Sequence, residues 1–199
     1  MTDSATTPGD ISAVLSAVNT ILSQTHLCDS MEELASLCLR EAEQLTASAL
    51  GWVGEIDADG LMDMWAMSDP GWETCKLDLQ QGKLPRGATP LGLYGEVVSS
   101  GRTVCTGDPA EHPASVGLPP GHPKITSFLG IPLLEGDQVV GMLALANCPG
   151  GYGPKEQAAA EALAPTIREV LLRRRGAIHL QEAKASLEEI VNFQTSELQ

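Results

Sequence analysis

One imidazole and one thiol stand where they could do chemistry. His122 lies inside Gly117-Leu-Pro-Pro-Gly-His122-Pro123, six residues ahead of Phe128, and Cys105 lies on the short segment Thr103 to Thr106 that leads into the same tract. A neutral imidazole ligates a metal or moves a proton, and a thiol attacks electrophiles once ionised. Asp108, in Gly107-Asp108-Pro109, adds a carboxylate at the entrance of the tract. Pro109, Pro113, Pro119, Pro120 and Pro123 pin the backbone into turns, so the tract forms neither a helix nor a long strand. A shaped loop beside an apolar strand is a place to hold a small molecule, and a rigid connector is the plainer role for the same residues.

Aromatic residues make up only 4% of the chain, so its core must be largely aliphatic and alanine-rich. Trp52, Trp65, Tyr94 and Phe128 therefore stand out as candidate pocket lining together with Cys105, Asp108 and His122. The five cysteines, at 28, 38, 75, 105 and 148, are odd in number and show no Cys-x-x-Cys spacing, which argues against a disulfide framework or a zinc site. His26, His112 and His179 supply no further ligand set. A net charge of −14 would repel a phosphate backbone or an anionic membrane, so neither nucleic acid nor membrane is expected as a partner. The run Arg173-Arg174-Arg175 reads as a solvated helix face or a coiled-coil flank. Without a basic start, a signal-peptide core or a window of roughly 18 apolar residues, the chain reads as cytoplasmic.

The elements that must position these residues follow from periodicity. Ile11, Val14, Leu15, Val18, Ile21 and Leu22 form an amphipathic helix whose stripe needs a partner surface, and Ser30 with Glu33 is a capping-box start for a second helix from Met31 to Thr46. Ala49 to Ile56 and Leu61 to Ser68 read as a hairpin turning at Asp57 to Gly60. Strict alternation sends Leu61, Asp63, Trp65 and Met67 to one face, and Met62, Met64 and Ala66 to the other. Asp69 to Pro90 reads as a long crossing loop with room for a short strand near Cys75 to Leu79. Leu91 to Ser100 is a short helix closed by Gly101. Phe128 to Leu134 and Gln138 to Asn147 form a second hairpin, in which Gly141 signals close approach of backbone or ligand. A long helix begins at Pro154. The fold class is α+β: an antiparallel sheet with the terminal helices on one face and ligand-pocket loops on the other.

Leu93-Tyr94-Gly95-Glu96-Val97, Gly101-Arg-Thr-Val104, Gly107-Asp108-Pro109, Phe128-Leu-Gly-Ile-Pro-Leu133, Val140-Gly-Met-Leu-Ala-Leu-Ala-Asn147 and Gly151-Tyr152-Gly153 occur in the order and spacing of one family. The chain resembles the GAF domains, sensory modules of bacterial signal-transduction proteins such as sensor histidine kinases, over roughly Val14 to Arg174. The resemblance implies a flexible tail at 1–10, a sensory domain at 11–174 and a signalling helix at 175–199 leading to a covalently linked output domain. It implies small-molecule binding rather than catalysis, with the ligand unknown.

Haem is one option. In haem-dependent GAF sensors a histidine ahead of Phe-Leu-Gly-Val-Pro ligates iron, and His122 falls at the matching place, although the distal tyrosine of those sensors is matched here by Ala144. Free methionine sulfoxide reductases share a Pro-Gly-His, yet their Cys-Asp is replaced here by residues from Pro123 to Thr126. Neither the Cys-His of bilin-binding relatives nor the Asn-Lys-Phe-Asp of cyclic-nucleotide-binding ones is present. A ligand-free dimerisation module is a further alternative. Leu180, Ala183, Leu187, Ile190 and Gln194 follow a coiled-coil seam, so the expectation is a homodimer through the terminal helices in a fragment of a longer protein.

Overall fold

Ser30 begins the second helix as its spacing predicts. Its hydroxyl accepts the Glu33 N–H at 3.1 Å while the Glu33 carboxylate accepts the Asp29 N–H at 2.7 Å, which satisfies two donors at a helix start that has no backbone acceptor for them. The computed structural model describes residues 8–68, 84–118 and 122–197. Its helices are α1 (Pro8–Gln24), α2 (Met31–Thr46), α3 (Gly92–Ser100) and α4 (Pro154–Glu197). Strands β1 (Leu50–Ile56), β2 (Met62–Met67), β3 (Val104–Thr106), β4 (Phe128–Glu135) and β5 (Gln138–Ala146) form one antiparallel sheet of order β2-β1-β5-β4-β3. The expected short strand near Cys75 to Leu79 and residues 1–7 of the tail expected at 1–10 lie outside the described residues, while 8–10 of that tail belong to the first turn of α1.

Two cores back onto this sheet. Alternation along β1, β4 and β5 sends Val53, Leu129, Ile131, Leu133, Leu143 and Leu145 toward α1, α2 and α4, where they meet Leu34, Leu163, Ile167 and Leu171. The opposite face carries Trp52, Ile56, Met62, Met64, Phe128 and Met142 under α3. The stripe predicted on α1 divides: Ala17 and Ile21 are buried, whereas Ile11, Leu15 and Leu22 remain in solvent.

One expectation fails at a single residue. Val53 pairs with Ala66 but Gly54 pairs with Met64, so Trp65 is an extra residue bulged out of β2. The bulge resets the alternation. Ala66 joins Trp65 on the helix face, and Met67 joins Met62 and Met64 on the other. Gly54 and Gly141 are required by backbone approach: a Cβ on Gly54 would lie 2.2 Å from the Asp63 carbonyl oxygen, and one on Gly141 would lie 2.7 Å from that of Gly54.

The last helix is continuous through the boundary expected at 174–175. Leu171 is its last fully buried residue and Ile178 the last that packs partly on the domain; every side chain from His179 to Ile190 is exposed. Among the described residues no helix is long and apolar enough to cross a membrane.

Candidate ligand-binding face

The face under α3 is assembled from strands that are sequentially distant. β1 contributes Trp52, β4 contributes Phe128 at its first position, and β5 contributes Met142 and Ala144; α3 lays Val97 and Tyr94 over them. Tyr94 meets Trp52 at 5.1 Å between ring centroids with planes 83° apart, and Phe128 at 5.8 Å and 44°. Gly130 permits this approach, since a Cβ there would stand 2.7 Å from Val97 and 2.8 Å from the Phe128 ring. The Nε1–H of Trp52 is buried with no hydrogen-bond acceptor among the described residues. Met62, Met64 and Met142 add soft, adaptable thioethers.

Of the seven residues singled out in the sequence, the structure brings Trp52, Tyr94 and Phe128 together. Trp65 sits on the helix face, where its Nε1–H donates to Glu55 Oε2 at 2.9 Å and the Arg86 guanidinium lies 3.5 Å over its ring. Cys105 pairs in register with Leu129 of the helix-face core, is exposed, and has its Sγ 3.7 Å from the Tyr152 carbonyl. Desolvation raises its thiol pKa, with Glu156 and Glu161 adding to the effect, so the thiolate is disfavoured. Asp108 is exposed on a turn in which its backbone N–H donates to Thr106 Oγ1 at 3.1 Å.

His122 is half-buried in its own loop with Nδ1 2.8 Å from the Pro123 carbonyl. A carbonyl only accepts, so in the neutral ring Nδ1 carries the proton and Nε2 the lone pair. The end of the proline tract is clamped by Asn147, whose Oδ1 accepts from Thr126 N at 2.7 Å and whose Nδ2 donates to Lys124 O at 2.9 Å. Asn147 does so from a left-handed conformation, φ 60°. Among the described residues no group of three or more His, Cys, Asp or Glu side chains could hold a metal ion.

The helix face holds what the sequence reading left out. Glu55 is 3% exposed; its Oε2 accepts the Trp65 Nε1–H and pairs with the Arg175 charge, Nη1 lying 3.2 Å away, and its buried Oε1 has no partner among the described residues. Burial pushes its carboxyl above the ordinary carboxylate range, and Arg175 and the Trp65 hydrogen bond oppose that shift. The arginine run is therefore not a uniformly solvated face. Arg173 stays exposed on Glu169, but Arg174 donates to the Asp29 carbonyl and Arg175 reaches the buried Glu55. No local pattern reveals a contact across 120 residues, whereas the Met62–Met64 alternation was visible and lacked only a face.

The description "GAF domain" belongs to the family model that matches residues 28–171. A methyl sulfide methyltransferase-associated sensor of Methanosarcina acetivorans is 30% identical over 171 residues, 85% of this chain and 16% of that protein, so the chain spans about a sixth of that relative's length. A GAF domain of a phosphoenolpyruvate-protein phosphotransferase from Coxiella burnetii superposes with a TM-score of 0.68 at 21% identity, over 83% of this chain and 96% of that one. A free methionine-R-sulfoxide reductase from Neisseria meningitidis superposes with a TM-score of 0.63 at 13% identity, over 84% and 91%.

Proposed function

The chain belongs to the GAF domain family, and from that premise we propose that it is the sensory part of a longer signalling protein, binding a small molecule against the Trp52–Tyr94–Phe128 face. The signal leaves through α4 toward an output domain such as a histidine kinase. The observation that carries this reading is the mismatch on α4: from His179 to Ile190 every side chain is exposed, yet the helix presents Leu180, Leu187 and Ile190 at coiled-coil spacing. An exposed apolar stripe calls for a second helix, and a second copy of this chain supplies an identical one. Ligand binding transmits information only if it favours one arrangement of that pair over another, and a coupling of about 1–3 kcal/mol changes an output roughly 5- to 150-fold.

Catalysis is not part of the proposal. Cys105 is the thiol nearest the tract in sequence, and it lies on the far side of the sheet with its ionisation disfavoured. The likeness to the reductase is one of fold.

Native mass spectrometry tests both halves at once. The expected result is a dimer carrying a small-molecule adduct, converted by Leu180→Glu with Leu187→Glu into a monomer that keeps the adduct. A wild-type chain that is monomeric at every concentration would remove the output half, and one that retains no compound from a cell extract would remove the input half.

A second reading draws on the His122 tautomer. With Nδ1 held by a carbonyl, Nε2 is free to ligate iron, which fits a haem-based gas or redox sensor. Haem would supply the gas- or electron-accepting centre, and His122 would anchor and orient it. Reconstitution with haem should then give a Soret band that His122→Ala loses; no band in either protein ends this reading.

A further inference from the structure

The path between the aromatic face and the free part of α4 narrows to one strand and one side chain. β1 presents Trp52 to the aromatic cluster and, three residues on, Glu55 to the helices. Opposite Glu55, Arg175 lies one turn past Leu171, and only Ile178 packs on the domain after it. Arg174 ties the same turn to the carbonyl of Asp29, ahead of α2. The helix is therefore held at its point of departure by two arginines, one fastened to the helical layer and the other to the sheet.

The sheet-side fastening is unevenly built. Glu55 Oε2 accepts the Trp65 Nε1–H and forms the ion pair with Arg175, while the buried Oε1 has no partner among the described residues. Trp65, which supplies one donor, is the bulged residue of β2 and is capped by Arg86, which in turn contacts Asp63 and Glu32 of α2. The charged groups facing Glu55 are thus Arg175 from α4, Asp63 from β2 and Arg86 from the segment before α3. Arg175 is the cation in direct contact. Both contacts of this buried carboxylate converge on one oxygen, so a displacement of β1 that lengthens the contact to Arg175 directly weakens the charge pairing of Glu55.

We propose that Glu55 and Arg175 form a latch that couples the aromatic face to the departure of α4: a change in the packing around Trp52 shifts β1, weakens the Glu55–Arg175 contact and loosens the helix at residues 172–178. The latch rests on the reading that the aromatic face receives the input. Its test uses no ligand, so its failure is separable from a failure of ligand binding.

The measurement is amide hydrogen exchange of the full chain, compared between residues 172–178 and residues 160–171 of α4. Glu55→Gln keeps an acceptor for Trp65 but removes the charge that holds Arg175. It should speed exchange in 172–178 by about tenfold and leave 160–171 protected. Trp52→Phe, which alters the aromatic face alone, should speed exchange in 172–178 severalfold, and the double variant should match Glu55→Gln. Arg175→Gln, which removes the same charge pair from the half-exposed side, should speed exchange in 172–178 at least as much as Glu55→Gln and replaces it if that variant does not fold. The latch is overturned by no change in 172–178 in the Glu55 and Arg175 variants, or by equal acceleration across 160–171. It is also overturned if Trp52→Phe has no effect on 172–178, or has an effect that persists undiminished beside Glu55→Gln.

Discussion

The two faces of the sheet share every strand and differ in almost everything else. The helix face is closed by three helices over small and branched aliphatics, with Leu129, Leu143, Leu145, Leu163 and Ile167 wholly buried, and its buried Glu55 carboxylate is engaged by Trp65 and Arg175. The opposite face is covered by the nine residues of α3 and uses rings and thioethers. Branched aliphatics interlock in few rotamers, while methionines and stacked rings refill a gap by turning. The lesson is a division of labour across one layer. One face is built of interlocking aliphatics, and the other of rings and thioethers whose packing is expected to adjust more readily.

Neighbouring residues on β5 make the contrast testable at constant burial. Leu143 faces the helices and Met142 faces α3, and both are fully buried. Truncating a buried Leu or Met to Ala costs roughly 2–5 kcal/mol, with the spread set by how far the site collapses into the cavity. Leu143→Ala should lie near the top of that range, at roughly 4 kcal/mol, and Met142→Ala near the bottom, at roughly 2 kcal/mol. Urea unfolding with unchanged m-values would establish the order. Equal losses, or a larger loss for Met142, would break the division between the two faces.

What was legible in the sequence follows the same line. The capping box at Ser30 and Glu33, the turn at Asp57 to Gly60 and the hairpin through Gly136 are local signals, and each produced the element it predicts. From them the antiparallel layer and its terminal helices could be assembled. Trp65 shows the limit: one inserted residue shifts everything beyond it to the other side of the sheet, and nothing in Met-Asp-Met-Trp-Ala-Met states which residue is extra. Arg174 and Arg175 show another. A cationic run on a helix reads as solvent-facing until the fold brings Asp29 and Glu55 beneath it. Trp52, Tyr94 and Phe128 meet in one cluster, whereas Trp65 and Cys105, grouped with them by rarity and by nearness to the proline tract, are carried to the helix face by strand register.

A smaller effect sharpens the comparison through pH. Glu43, on α2, accepts from the Ser68 hydroxyl, and Ser68 in turn binds Gly51 N at 2.5 Å, so this carboxyl lies between the helical layer and the sheet. Desolvation raises its pKa above 4.5, and the hydrogen bond from Ser68 opposes only part of that rise. A carboxyl whose folded pKa exceeds its unfolded one binds its proton more tightly in the fold. Its contribution is therefore fully present below the unfolded pKa and is lost as pH rises through the folded value. Glu43→Gln replaces that carboxyl by a permanently neutral amide that still accepts from Ser68. The variant should equal the wild type near pH 4 and exceed it at pH 7, by less than the ~2 kcal/mol of the Met142 truncation. Met142→Ala supplies the control: it removes no ionisable group, so it should lower the stability curve by a constant amount at every pH. A parallel downward shift in both variants, or a slope change in Met142→Ala, would show that the Glu43 carboxyl and the packing of Met142 are not energetically distinct.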